Sequence, residues 1–89
     1  MTERTIQICN RLGLHARAAA RFVHLANRFE SRISVAKNGT RVDGKSILGL
    51  LTLAASKGTK LTLVADGADE GEAIRQLAEL VRNRFDEGQ

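Results

Sequence analysis

His15 is the residue of this sequence whose type and position most directly suggest chemistry. It lies in the segment GLHAR, residues 13–17, where a loop gives way to a predicted helix. The first N–H groups of a helix lack partners inside the helix and carry a partial positive charge, so they bind anions. Arg17 adds a donor for charge-assisted hydrogen bonds to phosphate oxygens. Because neutral imidazole is a nucleophile, reversible phosphorylation of His15 is one chemistry that this segment allows.

Other roles remain open for the same histidine. A histidine at a helix start, followed two positions later by an arginine, is more often a polar cap, and the local residues alone favour that interpretation. A metal site is disfavoured, because His24 lies toward the other end of the same helix and the single cysteine, Cys9, completes no ligand spacing. His24 is expected on the surface or facing a partner.

Ser46 is a second candidate, since it directly precedes the apolar run ILGLL at residues 47–51. A serine in this position is typical of a helix N-cap, which contributes about 1 kcal/mol. The run also carries more apolar side chains than a short helix needs for one buried face. Some of them are therefore candidates for an exposed patch.

Composition limits the class of protein. The chain has 89 residues, 43% of them hydrophobic and 27% charged, which fits one globular domain over residues 1–89. No apolar run approaches the roughly 18 residues of a membrane span, and no leader pattern opens the chain, so we expect a cytoplasmic protein without membrane insertion. The net charge of +4 suits an acidic partner. Nucleic acid is not expected, because the 14 basic residues are scattered among 10 acidic ones without an aromatic stacking motif.

Hydrophobic periodicity predicts the element order β-α-β-β-α-β-α. The expected strands cover residues 2–9, a segment through Ile33 and Val35, residues 40–43, and residues 60–65. The Asn38-Gly39 pair predicts a tight hairpin, because both residues tolerate positive φ. The expected fold is α+β, a two-layer open-faced β-sandwich in which three helices cover one face of a four-stranded antiparallel sheet.

The three helices are predicted from their apolar stripes and start signals. The first begins at Ala16 and the second follows Ser46. Asp69 and Glu72 resemble a capping box at the start of the third helix. Its buried face is predicted to comprise Ile74, Leu77, Ala78, Val81 and Phe85.

Two segments together resemble a known family. Residues 13–19, GLHARAA, resemble the active-site segment of HPr, the histidine-containing phosphocarrier of the bacterial phosphoenolpyruvate-dependent phosphotransferase system. Residues 44–51, GKSILGLL, resemble the regulatory-serine segment of that family, at the family's spacing. Residues 66–70 match its entry to the last helix, so the resemblance covers essentially the whole chain.

The resemblance implies a mechanism. Enzyme I, charged by phosphoenolpyruvate, would pass a phosphoryl group to Nδ1 of His15, which would pass it to a histidine or cysteine of an enzyme II component. Arg17 and the backbone N–H groups of Ala16 and Arg17 would hold the phosphate. The protein would be a monomeric carrier rather than an enzyme, with no metal and no cofactor.

The resemblance also implies docking and regulatory roles. Ser46 would be phosphorylated by a dedicated HPr serine kinase in some bacteria, which would weaken binding to enzyme I. Partner proteins, enzyme I and enzyme IIA-type components, would dock on an exposed apolar patch beside His15 with a basic rim. The residues implied are Ile47, Leu48 and Leu51 for the patch, and Arg17, Arg21, His24 and Lys45 around it.

One position departs from the family pattern. Ala18 stands where the family usually has proline, in the first helical turn, where proline is tolerated but not required. Ala18 therefore leaves open whether the chain serves sugar transport or a nitrogen-related regulatory branch. Two rival functions are a regulatory homologue that uses Ser46 alone and binds a transcription factor, and a hydrolase. The presence of His15 and Arg17 argues against the first as sole activity, and no second catalytic base or metal cluster supports the other.

Overall fold

A computed structural model describes residues 1–86. The predicted order of elements is confirmed, with one short 3-10 turn added after the last helix. The strands are β1 (Thr2–Gln7), β2 (Arg32–Lys37), β3 (Thr40–Asp43) and β4 (Lys60–Asp66). The helices are α1 (Ala16–Ala26), α2 (Ile47–Thr52) and α3 (Glu70–Arg82), and the turn covers Arg84–Asp86.

The four strands form one open antiparallel sheet in the order β1-β4-β2-β3. Side chains alternate between the two faces of a strand, and the face under the helices is apolar. It buries Ile33, Val35, Leu61, Leu63 and Ala65. α3 packs on β1 and β4, while α2 packs against α1 and β3. This is the predicted two-layer arrangement, and it leaves Ala16 and Arg17 of the first turn of α1 exposed.

Helix α1 and the hairpin between β2 and β3 were correctly predicted from their local sequence alone. The predicted stripe of α1 is buried as Ala19, Phe22, Val23 and Ala26. The hairpin between β2 and β3 has a two-residue loop in which Asn38 and Gly39 both adopt positive φ, as that turn requires.

The first strand is shorter than predicted. Its pairing with β4 ends at Gln7, opposite Lys60, rather than continuing to Cys9. Ile8 still exchanges hydrogen bonds with the turn that precedes β4. It donates to the Thr59 carbonyl at 2.9 Å and accepts from the Gly58 N–H at 2.7 Å. Cys9 then leaves the sheet, and its thiol donates to the Val81 carbonyl of α3 at 3.3 Å.

The capping box predicted at Asp69 and Glu72 is wrong. The Asp69 carboxylate instead accepts hydrogen bonds from the backbone N–H groups of Glu30 (2.9 Å) and Ser31 (3.0 Å), in the turn between α1 and β2. Ser31 is buried, so its polar groups need partners inside the protein. The Ser31 hydroxyl also donates to the Asp69 carboxylate and lowers its pKa the most, and the two backbone N–H groups lower it further. Glu72 pairs with Arg75.

The last helix ends earlier than predicted. α3 stops at Arg82, and the next three described residues after Asn83 have positive φ: 56° at Arg84, 54° at Phe85 and 62° at Asp86. Phe85 is fully buried, as expected, although it is not on the helix. The left-handed turn returns its ring to the core, where burial of an aromatic side chain offsets the cost of these backbone conformations.

Glu70 makes the fold sensitive to acid. Its carboxylate binds the Met1 ammonium group at 2.9 Å, the Thr2 hydroxyl, and the Gly67 N–H at 3.2 Å. These contacts, led by the ammonium, lower its pKa to about 2 from the ordinary 4.5. A lowered pKa means that stability is present above pH 4.5 and is lost as the pH falls toward 2.

We therefore expect Glu70→Gln to flatten the pH dependence of the thermal midpoint between pH 4.5 and pH 2. The measurement is thermal unfolding by circular dichroism over that range. Glu3→Gln, in an exposed position of β1, is the matched control and should keep the wild-type slope. Equal slopes for the two variants would contradict a role for Glu70 in acid stability.

Candidate functional site

His15 is the N-cap of α1. Its backbone is extended (φ −80°, ψ 179°), its carbonyl accepts from the Ala19 N–H at 2.8 Å, and its Nδ1 atom accepts from the Arg17 N–H at 3.2 Å. An acceptor nitrogen carries no proton, so the neutral ring is protonated on Nε2. The ring is half-buried. The polar-cap interpretation is therefore confirmed, and it places the Nδ1 lone pair at the positive end of a helix.

The loop before His15 is held from two sides. The Leu14 N–H donates to the Ala55 carbonyl at 2.8 Å, and the Asn10 side chain donates to the Gly13 carbonyl at 2.8 Å. Gly13 has a φ of +69°, and a Cβ atom there would lie 2.5 Å from the Ala55 oxygen. Glycine is thus required at this position by both conformation and space.

The first turn of α1 divides into an exposed and a buried side. Ala16 and Arg17 are exposed, whereas Ala18 and Ala19 are fully buried against the core. Arg17 lines a groove along the outer face of α1 together with Arg21, His24, Arg28 and the C-terminal turn. Ala18 is a packing residue of the helix interior face, and the helix forms without a proline there.

Ser46 caps α2, as predicted from its position before the apolar run. Its hydroxyl accepts from the Gly49 N–H at 3.0 Å. Leu50 is fully buried, Leu51 is half-buried, and Ile47 and Leu48 are 41% and 77% exposed. The run therefore divides into one core side chain, Leu50, and an apolar patch, which consists of the exposed Ile47 and Leu48 and of Leu51, which also packs against the core.

Two of the basic residues expected around this patch make hydrogen bonds to backbone oxygens. The Lys45 ammonium donates to the Phe29 carbonyl at 2.7 Å, which places it beyond the end of α1 opposite His15. Arg21 donates to the Phe85 carbonyl at 2.5 Å. These two cations bind backbone oxygens whose positions depend on tertiary packing. His24 is exposed on α1.

Sequence reasoning did not single out Asn10. It is one of two buried polar residues among the described part of the chain, the other being Ser31. The available signal was the polar residue that opens the loop before Gly13, since asparagine side chains often hydrogen-bond the backbone of the turn they begin.

Within residues 1–86, no three His, Cys, Asp or Glu side chains lie together as metal ligands would. No helix there has the length and apolar content to cross a bilayer.

A family model described as "PTS HPr component phosphorylation site" matches residues 2–83. The chain belongs to the HPr family. It is 52% identical to the phosphocarrier protein HPr of Neisseria meningitidis serogroup A over 89 residues, which cover all of both chains. The structure matches a crystal structure of HPr from Thermoanaerobacter tengcongensis with a TM-score of 0.94 at 47% identity, covering 98% of each chain.

HPr proteins are bacterial phosphocarriers that carry phosphoryl groups between enzyme I and enzyme II of the phosphotransferase system. The family match confirms the family and the carrier function that the segments at residues 13–19 and 44–51 predicted. An HPr dimer from T. tengcongensis also matches, with a TM-score of 0.77 at 47% identity, covering 96% of this chain and 98% of that one. The monomeric state expected for this chain therefore stays a prediction.

Proposed function

We propose that His15 is the residue of this chain that carries the phosphoryl group, received from phosphorylated enzyme I and passed to an enzyme IIA-type component. The observation that supports this most directly is the position of Nδ1 at the N-terminus of α1, 3.2 Å from the Arg17 N–H. The ring nitrogen that carries no proton thus already faces the part of the helix that stabilises anions.

The transfer needs no other group to act as a nucleophile. The Nδ1 lone pair attacks the phosphorus atom on enzyme I, a new N–P bond forms, and the bond to the leaving group of enzyme I breaks. The Arg17 N–H then loses Nδ1 as its acceptor and donates to a phosphoryl oxygen instead. The Ala16 N–H belongs to the same first turn, whose N–H groups have no partners within the helix. The transfer to the acceptor reverses these steps.

Arg17 supplies the positive side-chain charge of the site. Its side chain is exposed at the first turn, within the groove that runs along α1. Phosphoryl transfer depends on alignment and on stabilisation of charge over the equatorial oxygens. A carrier can therefore supply one nucleophile and one guanidinium, while the partner protein supplies the rest. On this basis the chain is a carrier and not an enzyme in its own right.

The docking surface that we propose is the apolar patch together with the exposed face of α1. An apolar centre with a charged margin is a common design for transient complexes, and the positive margin favours acidic partners. The margin near His15 consists of Arg17, Arg21 and His24, whereas Lys45 extends it at the other end of α1. We further propose a cytoplasmic monomer that does not bind nucleic acid and whose enzyme II partner belongs to either the sugar-transport or the nitrogen-related branch.

Incubation with enzyme I, magnesium and phosphoenolpyruvate tests the proposal. Intact mass should show the addition of one phosphoryl group that is labile in acid and stable in alkali, as a phosphohistidine is. A phosphate that survives acid would instead indicate an ester on a hydroxyl group and would contradict the assignment to His15.

Ser46 is the proposed regulatory position, modified by an HPr serine kinase where the host has one. Aspartate is a good N-cap, so Ser46→Asp keeps an acceptor for the Gly49 N–H while adding a negative charge beside the patch. We expect KM for the chain in the enzyme I reaction to rise about tenfold, since repulsion of an acidic partner costs over 1 kcal/mol.

The matched control for this charge is Thr5→Asp, at an exposed position of β1 on the sheet. It adds the same charge on β1, at the opposite edge of the sheet from β3, on which α2 packs. It should change KM by less than about twofold, because the field of an exposed charge is screened over distance. Equal KM values for the two variants would remove the regulatory role of Ser46.

A further inference from the structure

We propose that Asn10 is a positioning residue for phosphoryl transfer, one that sets the place of His15 without touching the phosphoryl group. This inference rests on the proposed role of His15. Asn10 opens the loop between β1 and α1 and is fully buried. Its side-chain amide donates to the Gly13 carbonyl at 2.8 Å, and its backbone carbonyl accepts from the Gly13 N–H at 3.2 Å. Asn10 and Gly13 are therefore joined twice.

The other side of Gly13 is fixed by the chain that follows α2. A Cβ atom on Gly13 would lie 2.5 Å from the Ala55 oxygen and 2.9 Å from the Ser56 Cα, so backbone packs directly on backbone there. The Leu14 N–H donates to the same Ala55 oxygen at 2.8 Å. Residues 13 and 14 are thus clamped between the Asn10 carboxamide and residues 55–56, and His15 is the next residue.

The clamp has a direct consequence for the imidazole. On its C-terminal side His15 is held by α1, through the Ala19 N–H to its carbonyl and the Arg17 N–H to Nδ1. On its N-terminal side the clamp fixes Gly13 and Leu14, and with them the point where the backbone enters the cap conformation. Since Nδ1 accepts from Arg17 at 3.2 Å, a small shift of the loop lengthens that bond or breaks it. The ring would then no longer be held in one tautomer and one orientation.

The choice of residue supports this role. A buried carboxamide is destabilising when it lacks partners, so an apolar side chain would be the simpler solution for packing alone. The side chains of Arg11 and Leu12, at the tip of the same loop, are exposed, Leu12 by 67%. Asn10, by contrast, is buried, and its side chain holds the carbonyl of Gly13.

The test compares Asn10→Asp with two controls. A carboxylate has nearly the same shape as the carboxamide but cannot donate to the Gly13 carbonyl. Leu12→Ala changes an exposed position of the same loop, and Val35→Ala destabilises the core within β2, at a residue outside the loop and the clamp. Asn10→Ser retains a hydroxyl donor of the kind that stabilises such turns, and it serves as the conservative variant.

Two quantities are measured on each full-length variant. The first is the single-turnover rate of phosphoryl transfer from phosphorylated enzyme I at saturating concentration of the chain, with KM determined separately. The second is the tautomer of neutral His15, read from the ¹⁵N chemical shifts of Nδ1 and Nε2. For Asn10→Asp we expect the rate to fall about 10- to 100-fold, because misplacement by about 1 Å costs on that order. KM should stay within about twofold, since the docking patch is untouched, and the fraction of neutral ring protonated on Nδ1 should rise.

The outcomes separate positioning from stability. Leu12→Ala and Val35→Ala should keep the wild-type rate and tautomer, and Asn10→Ser should lie between Asn10→Asp and the wild type. If Asn10→Asp does not fold, Asn10→Ser carries the comparison. Should the Asn10 variant that folds match Val35→Ala in rate and in tautomer, the positioning role is overturned. If the wild type accepts no phosphoryl group at all, the proposed function fails, whereas the tautomer comparison still decides whether Asn10 positions the ring.

Discussion

We expect His15→Ala to take up no phosphoryl group from enzyme I and phosphoenolpyruvate, whereas the wild type should gain one. The variant lacks the nucleophilic nitrogen that lies at the N-terminus of α1, and nucleophilic catalysis has no substitute for the missing atom. Intact mass spectrometry at neutral pH measures the uptake. We expect the rate of uptake to fall by at least about 10³-fold, as it does when an enzyme loses an essential nucleophile.

Matched variants separate chemistry from folding in this experiment. His15 also caps the helix, and loss of a cap costs about 1 kcal/mol. His15→Asn restores a good capping side chain without a nucleophilic ring, so it should be as stable as the wild type and equally unable to accept the phosphoryl group. Cys9→Ser removes the one thiol of the chain and should leave uptake unchanged. Full uptake by His15→Asn would show that another residue carries the phosphoryl group.

The parts of the fold that could be predicted depend on signals within a few residues of one another. The stripe of α1 follows a 3.6-residue period, and the hairpin at Asn38 and Gly39 follows from backbone conformations that those two residues tolerate. Such preferences act before any tertiary contact forms, so they can be recognised in the sequence.

The failures have a tertiary cause. Asp69 carries the residue type and spacing of a helix cap, yet its carboxylate binds N–H groups at residues 30 and 31, which are remote in sequence. Phe85 fits the period of α3, yet the chain adopts a left-handed turn before it. In both cases a local preference was overridden by the burial of groups from distant parts of the chain.

The candidate site likewise has one part that local sequence predicted and one part that it did not. The histidine, the helix start and the serine cap were all evident from local sequence, and the structure places each where it was expected. The surroundings were not evident. Lys45 binds the Phe29 carbonyl and Arg21 binds the Phe85 carbonyl, because long side chains satisfy whichever backbone oxygens packing brings within reach. Distances between charges on different elements cannot be obtained from spacing along the chain.

Arg17→Ala should slow phosphoryl transfer about 100-fold with little change in stability, because removal of one donor to the developing charge typically costs 10²–10³ in rate. The Arg17 side chain is exposed, and the bond to Nδ1 comes from its backbone N–H, so the variant keeps the cap of α1. Arg17→Lys retains a charge but not the planar guanidinium that binds two phosphate oxygens together. Its transfer rate should therefore lie between those of Arg17→Ala and the wild type. Single-turnover transfer from phosphorylated enzyme I measures the rate.

The control for net charge is Arg28→Ala, which removes a positive charge from the same groove beyond the end of α1. Steering by charge depends on ionic strength, whereas a contact with the transferred group depends on it much less. We therefore expect the small loss from Arg28→Ala to disappear at high salt, while most of the loss from Arg17→Ala persists. If both losses are equal and both disappear at high salt, Arg17 acts through long-range attraction of the partner, and the stabilisation of the phosphoryl group must come from the backbone N–H groups of the first turn alone.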